Sequence, residues 1–306
     1  MTTTHHFVAA NGLRFHIAEA GTDGPPVLLL HGYPQHSHAY RHVMADLAAD
    51  HHLYALDLRG AGASDAPRSG YDTRTLATDV LAVLDALDLP AVHLSGHQWG
   101  GWLGFHLALT APQRFHSFVA VNAPHPWLPH RKLLPQMWRF WYTALLEYPA
   151  LGAWIIRTRP GVLRWLLRRG RPDLPDADID VFADVAREPA RARAGQQLHG
   201  QIVLRDVPRR LLGRYRRQHL HVPTLLLAGT RDFALTWFGA GSFPTAWGIS
   251  GNPTWYKFGS KHIGIVQFAF ADGSVRPIST AANYNMYVYA SGMADTRVVD
   301  FGQLGQ

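Results

Sequence analysis

The chain has 306 residues, 47% of them apolar and 17% charged, which is the balance of a globular protein with a large core, built as one domain or as a core with a smaller insert. No apolar run reaches the roughly 18 residues needed to span a bilayer, and Met1-Thr2-Thr3-Thr4-His5-His6 lacks the basic and apolar regions of a secretory leader, so a cytoplasmic chain with no membrane partner is expected. The absence of cysteine excludes disulfides, and the formal charge of +7 is carried mostly by arginine.

Taken in order, residues 15–19 and 27–30 read as strands, 39–48 as a helix, 52–58 as a strand, 73–87 as a helix, 91–96 as a strand, 102–109 as an apolar helix and 115–122 as a strand. Strands alternating with helices argue for a parallel sheet covered on both faces. Together, residues 1–123 form the N-terminal part of this core. Residues 124–221 change character and become helical, rich in Arg, Leu and Trp, and broken by Pro135, Pro149, Pro160, Pro172 and Pro189. Arginines concentrate at 157–171 and 205–217, a pattern that can bind nucleic acid or an anionic membrane. Arg164, Arg168 and Arg169, however, interleave with Val162, Leu163, Trp165, Leu166 and Leu167 as on an amphipathic helix. That favours a solvated helix face, and no nucleic-acid partner is expected.

Residues 222–240 return to the core pattern, with a buried strand from Pro223 to Gly229 followed by Thr230-Arg231-Asp232. Composition then breaks: 24 of the 26 arginines and 18 of the 19 histidines precede residue 234. The segment 241–306 reads as a β-rich unit of different origin. In it, the apolar run 265–271 and the run 274–278 flank Asp272-Gly273, a type I′ hairpin signal.

The motif that carries chemistry is Gly96-His97-Gln98-Trp99-Gly100-Gly101. A strand, Gly-x-residue-x-Gly and a helix make a nucleophile elbow, whose central side chain points into a cleft. Ser, Cys or Asp is expected at that centre. Gln98 is a neutral amide without useful nucleophilicity. His31-Gly32-Tyr33-Pro34 follows one strand, the loop from Asp57 to Asp65 follows the next, and Asn122-Ala123-Pro124-His125-Pro126 opens the helical insert.

In this order and spacing, with Gly229-Thr230-Arg231-Asp232 after a late strand, residues 1 to about 233 resemble the α/β-hydrolase superfamily, in its epoxide hydrolase and haloalkane dehalogenase branch. The resemblance implies an α/β fold with a mostly parallel sheet, a helical cap at 124–221, truncation after the acid strand and a β-rich tail. It implies no cofactor and, as partner, a small apolar molecule under the cap. In that branch the elbow carries Asp, which attacks carbon to form an alkyl ester. A His oriented by a second acid then activates water. By resemblance, the N–H groups of Tyr33 and Trp99 match the oxyanion hole, with His31 and Gly32 shaping its loop. Asp232 takes the position of the acid. Dehalogenases place Asn where Tyr33 stands, so epoxide chemistry is the nearer analogue. Epoxide hydrolases draw two tyrosines from the cap; Tyr142 and Tyr215 lie there but match no motif. His36 with His38 and His219 with His221 do not make a metal set, because no third ligand stands at recognisable spacing.

Past the acid the family continues with a helix, a last strand, a His loop and a final helix, and nothing here reads that way. Residues 243–306 instead resemble the C-terminal part of pseudopilin-like proteins, marked by His262, nine intervening residues and Asp272-Gly273. The prepilin-type apolar helix of those proteins is missing, so pilus assembly is not implied. His262 follows Asp232 by 30 residues, a separation that suits the family's base, and it equally belongs to the tail's own motif. With Gln98 at the elbow, three readings stand: an epoxide hydrolase-type scaffold without normal turnover, a binding protein that keeps a capped apolar pocket, and a hybrid chain whose tail docks a partner.

Overall fold

The computed structural model describes residues 2–123, 126, 127, 146, 148–170, 174–215, 217–227, 265–269 and 275–279. Tyr142, Asp232, His262 and the Asp272-Gly273 turn lie outside them. The chain divides into two compact units, Met1–Leu227 and Ala228–Gln306.

The first unit is built on a seven-stranded sheet of β1 (Thr4–Ala10), β2 (Leu13–Ala20), β3 (Pro26–Leu30), β4 (His52–Leu56), β5 (Val92–His97), β6 (Phe115–Val121) and β7 (Thr224–Leu227), in spatial order β1-β2-β4-β3-β5-β6-β7. β2 runs antiparallel to β1 and β4, and the remaining pairs are parallel. β1 was not expected from the sequence. It is an edge strand with mostly exposed residues, closed onto β2 by Asn11 at φ 46 and Gly12 at φ 74, the two positive-φ positions of a tight hairpin.

Leu28, Leu29 and Leu30 are each at most 2% exposed although neighbours on a strand point to opposite faces. β3 is therefore covered on both sides, as a central parallel strand must be. On one face lie α2 (Thr73–Ala86) and α3 (Trp99–Thr110), which bury Val80, Val83, Leu84, Leu103 and Leu107 against Leu28, Leu30, Leu94 and Phe118. On the other, α1 (Arg41–Leu47) contributes Met44 against Ala18, Leu29, Leu53 and Ala55. The stretch expected as one helix over 39–48 is a 3-10 turn, Ser37–Tyr40, followed by α1.

Six further segments of the insert are described: α4 (Leu151–Thr158), α5 (Pro160–Gly170), α6 (Asp176–Ala186), α7 (Pro189–Gln201), a π-helical segment Ile202–Asp206 and α8 (Val207–Leu211). Leu163 of α5 is buried with Leu146, Ile156, Ala183 and Ala192. Arg164 and Arg168 on its outer side pair with Asp180 and Asp176 of α6. These arginines thus form a salted helix surface. The insert is tied to the core by Arg41 on Asp178 at 2.5 Å, Arg191 Nε on the Gly62 carbonyl at 2.5 Å, Gln197 Nε2 on the Arg68 carbonyl at 2.7 Å, and Thr73 on Asp206. In the second unit β8 (Ile265–Ala269) pairs antiparallel with β9 (Val275–Ser279). Among the described residues no helix is long and apolar enough to cross a membrane.

Candidate active site

β3 sits between β4 and β5, so the chain leaves its carboxyl end in one direction and returns to β5 on the other. Such a switch point opens a crevice beyond the strand ends, where ligands bind in open α/β sheets. Two loops meet there, residues 31–34 after β3 and the elbow after β5.

At the elbow, Gln98 has φ 51 and ψ −110, a conformation that L side chains rarely adopt and that costs on the order of 1–3 kcal/mol. The turn is fixed around it: Gln98 N–H donates to the Val121 carbonyl at 3.0 Å, and its own carbonyl accepts from Trp102 N–H at 2.9 Å. α3 begins at Trp99, three residues earlier than the sequence suggested, because the glycine pair lies inside the first turn rather than before it. A Cβ on Gly100 would stand 2.1 Å from the Leu30 carbonyl oxygen and 2.7 Å from that of His31, backbone atoms that cannot move aside. Gly100→Ala is expected to cost about 3 kcal/mol or more, the upper range of overpacking, read as a lowered urea midpoint.

The Gln98 side chain turns to the opposite loop. Tyr33 N–H donates to Gln98 Oε1 at 2.7 Å. A Cβ on Gly32 would lie 2.4 Å from the same oxygen, so only glycine leaves it room. The amide oxygen thus sits on the Tyr33 N–H, and Gln98 itself is the N-cap of α3.

His31 is 4% exposed and holds the loop from behind. Its Nδ1 donates to the Gly32 carbonyl at 2.9 Å, and its Nε2 accepts from Leu58 N–H at 3.0 Å. Both ring nitrogens are thus spent on backbone, and burial lowers its pKa, which suits the neutral tautomer those bonds require. The loop after β4 is organised by Asp57, 1% exposed. Its carboxylate accepts from Ser37 N–H at 2.6 Å, Ala63 N–H at 2.9 Å and His16 Nδ1 at 2.7 Å. Burial pushes its pKa up, but the His16 bond and the Ser37 N–H, joined by His31 and His36 once acid protonates them, hold it well below the usual carboxylate range.

The insert closes over Tyr33. A Cβ on Gly195 of α7 would stand 2.5 Å from the Tyr33 ring, so the ring rests on bare helix backbone. His199, one turn on and 4% exposed, meets the Tyr33 ring edge-on at 4.6 Å and the Trp99 ring at 5.5 Å. Tyr33, Trp99, Trp102, Leu76, Leu103 and Leu198 line a mostly apolar cavity of about 30 Å³. Among the described residues no group of three or more His, Cys, Asp or Glu could hold a metal ion.

Of the residues singled out in the sequence, the structure brings Gly32, Tyr33, Gln98 and Trp99 together and puts His31 behind them. It places the Tyr215 hydroxyl 3.5 Å from His106, two helical turns beyond the elbow, with Trp127 Nε1 donating to the Tyr215 carbonyl at 2.8 Å. His199 was not foreseen. It stands in a polar stretch that no motif marks, and only packing against α3 reveals it.

Comparison with known proteins gives this geometry a family. The model of the alpha/beta hydrolase fold family matches residues 25–263. The chain belongs to the α/β-hydrolase family. Most of the curated relatives it matches are epoxide hydrolases. Mouse epoxide hydrolase 4 is 30% identical over 246 residues, covering 75% of this chain and 66% of that protein. The soluble epoxide hydrolase of Corynebacterium sp. (strain C12) is 44% identical over 105 residues, 34% of this chain and 36% of that one. Less than two thirds of either relative is therefore spanned. The ligand-free structure of the epoxide hydrolase CorEH superposes with a TM-score of 0.66 at 27% identity, covering 75% of this chain and 83% of that chain. The family match runs past the compositional break near residue 234.

Buried neutral histidines are expected to make this α/β-hydrolase acid-sensitive. Burial lowers the pKa of both His36 and His199 from 6.5 to about 4. Above pH 6.5 both are neutral folded or unfolded, and their contribution is intact. As pH falls from 6.5 towards 4 the unfolded chain takes up protons that the folded chain refuses, so stability drops. The loss should reach on the order of 2 kcal/mol per histidine, seen as a urea midpoint that falls between pH 7 and pH 4.5 and falls less in His36→Gln.

Proposed function

We propose that this chain is an epoxide hydrolase-type α/β-hydrolase whose ester-forming step is arrested at Gln98. In the reaction class, a carboxylate at the elbow attacks an epoxide carbon, the carbon–oxygen bond of the ring breaks, and water later cleaves the ester. The amide of Gln98 has no charge to attack with. The observation that carries the reading is the 2.7 Å bond from Tyr33 N–H to Gln98 Oε1. It sets the amide oxygen on the donor that would otherwise stabilise the oxyanion of ester hydrolysis. Nucleophile and oxyanion site are thus disabled by one side chain, while the elbow, the loop and the roof of the cleft are retained. The test is hydrolysis of a panel of aryl and alkyl epoxides by the unaltered chain and by Gln98→Asp.

A second reading, a non-catalytic binder of small molecules, is favoured by the capped apolar cavity beside Tyr33 and Trp99. Saturable binding of a small apolar molecule without turnover, in the unaltered chain, supports it.

A further inference from the structure

The helical run made by α7, the π-helical segment and α8 ends in a surface unlike the rest of the insert. Leu204 and Leu212 are 68% and 88% exposed, the most exposed large apolar side chains among the described residues. Pro208 between them is exposed as well. The three are spaced four apart, and Leu212 N–H donates to the Pro208 carbonyl at 2.9 Å, so helical geometry reaches residue 212 and stacks them along one side. Arg205 and Arg209 stand one residue on from Leu204 and Pro208, and Arg214 and Arg217 follow, all exposed. Residues 204–217 hold six arginines and one acid, Asp206. That acid is 14% exposed, binds Thr73 of the core and lies 3.7 Å from Arg209. Among the described residues no carboxylate pairs with Arg205, Arg214 or Arg217. The arginines of α5 differ, since Arg164 and Arg168 are matched by Asp180 and Asp176.

Bare leucines beside uncompensated arginines call for a partner that is apolar and anionic together. A nucleic acid would engage the arginines through phosphate and leave the leucines in water. An anionic bilayer surface answers both, with phosphate headgroups for the guanidinium forks and acyl chains for the leucines. We propose that residues 204–217 form a docking surface for an anionic phospholipid bilayer. Leu204 and Leu212 enter the acyl boundary, while Arg205, Arg209, Arg214 and Arg217 lie on the headgroups. The helix rests in the plane of the surface and does not cross it, in keeping with the length and polarity of the described helices. This departs from the expectation of a chain without a membrane partner. The sequence displays the arginines, but only the fold shows that the leucines among them are bare. Neither Gln98 nor turnover enters the proposal.

The test is co-sedimentation of the full unaltered chain with vesicles of phosphatidylcholine alone and of phosphatidylcholine mixed with phosphatidylglycerol. Partitioning onto the anionic vesicles is expected to be at least about tenfold stronger and to fade as salt rises. Replacing Arg205 and Arg209 together by Gln should weaken it about tenfold or more. Replacing Leu204 and Leu212 together by Ser, which leaves the charge unchanged, should also weaken it about tenfold or more. A second measurement uses the absence of cysteine from the chain. Leu212→Cys accepts a single environment-sensitive fluorophore, whose emission should shift to the blue on anionic vesicles and be quenched by brominated acyl chains. No binding to anionic vesicles, equal binding to both kinds, binding indifferent to the serine pair, or an unmoved emission overturns the proposal. Duplex DNA held equally by the parent and the serine pair, with vesicles left unbound, identifies a nucleic-acid surface and overturns it too. None of these outcomes bears on whether Gln98→Asp hydrolyses epoxides.

Discussion

Gln98→Asp is expected to consume an aryl epoxide at least about 10³ times faster than the unaltered chain, in keeping with the loss typical of a missing nucleophile. Several features of the site support a gain of that size. The turn that presents residue 98 is held by backbone bonds to Val121 and Trp102, which do not involve its side chain. Aspartate is one methylene shorter than glutamine, so it withdraws from the Tyr33 N–H and opens the position that Gln98 Oε1 now fills. The carboxylate also gains from the positive end of α3, beginning at the next residue. Epoxide consumption followed by gas chromatography measures the effect. A variant that consumes one equivalent and stops would place the defect in the water-activating base instead, since attack precedes and does not require it.

Asp57→Ala is expected to lower stability by about 3–5 kcal/mol, the cost of breaking a buried charged network by removing one partner. The carboxylate satisfies the N–H groups of Ser37 and Ala63 and the His16 ring, drawn from the 3-10 turn, the loop after β4 and strand β2. Removing it strands two backbone donors in the interior and releases the loop that His31 also holds through Leu58 N–H. Asp57→Asn, which keeps one carbonyl oxygen, should lose less. Because the folded pKa of Asp57 is depressed, its contribution is full above the unfolded value near 4 and fades as pH falls below it. Urea denaturation of the three proteins at pH 7 gives the order, and the gap between parent and Asp57→Ala should narrow in acid.

Much of the core was legible because its signals are local. The run of leucines at 28–30 announces a strand buried on both faces, and the glycines around Gln98 announce a sharp turn. Where reading from sequence stopped, long-range packing or an overlooked turn was responsible. Strand β1 is an exposed edge without a clean apolar alternation, and Asn11-Gly12 holds the hairpin signal that marks it. α3 starts at Trp99 because Gly100 must press against the Leu30 carbonyl, a contact made 70 residues apart. The fixed tautomer of His31 and the placing of His199 over Tyr33 depend on loops and helices meeting in space, which no periodicity encodes. The same holds for Tyr215, which the fold carries to His106.

Residue 98 is expected to form no ester in the unaltered chain, and peptide-resolved mass spectrometry after incubation with excess styrene oxide tests this directly. The peptide containing Gln98 should keep its mass in the unaltered chain, whereas its counterpart in Gln98→Asp gains the mass of one epoxide. An adduct on Gln98 itself, or diol released by the unaltered chain at a rate comparable to Gln98→Asp, would contradict the account.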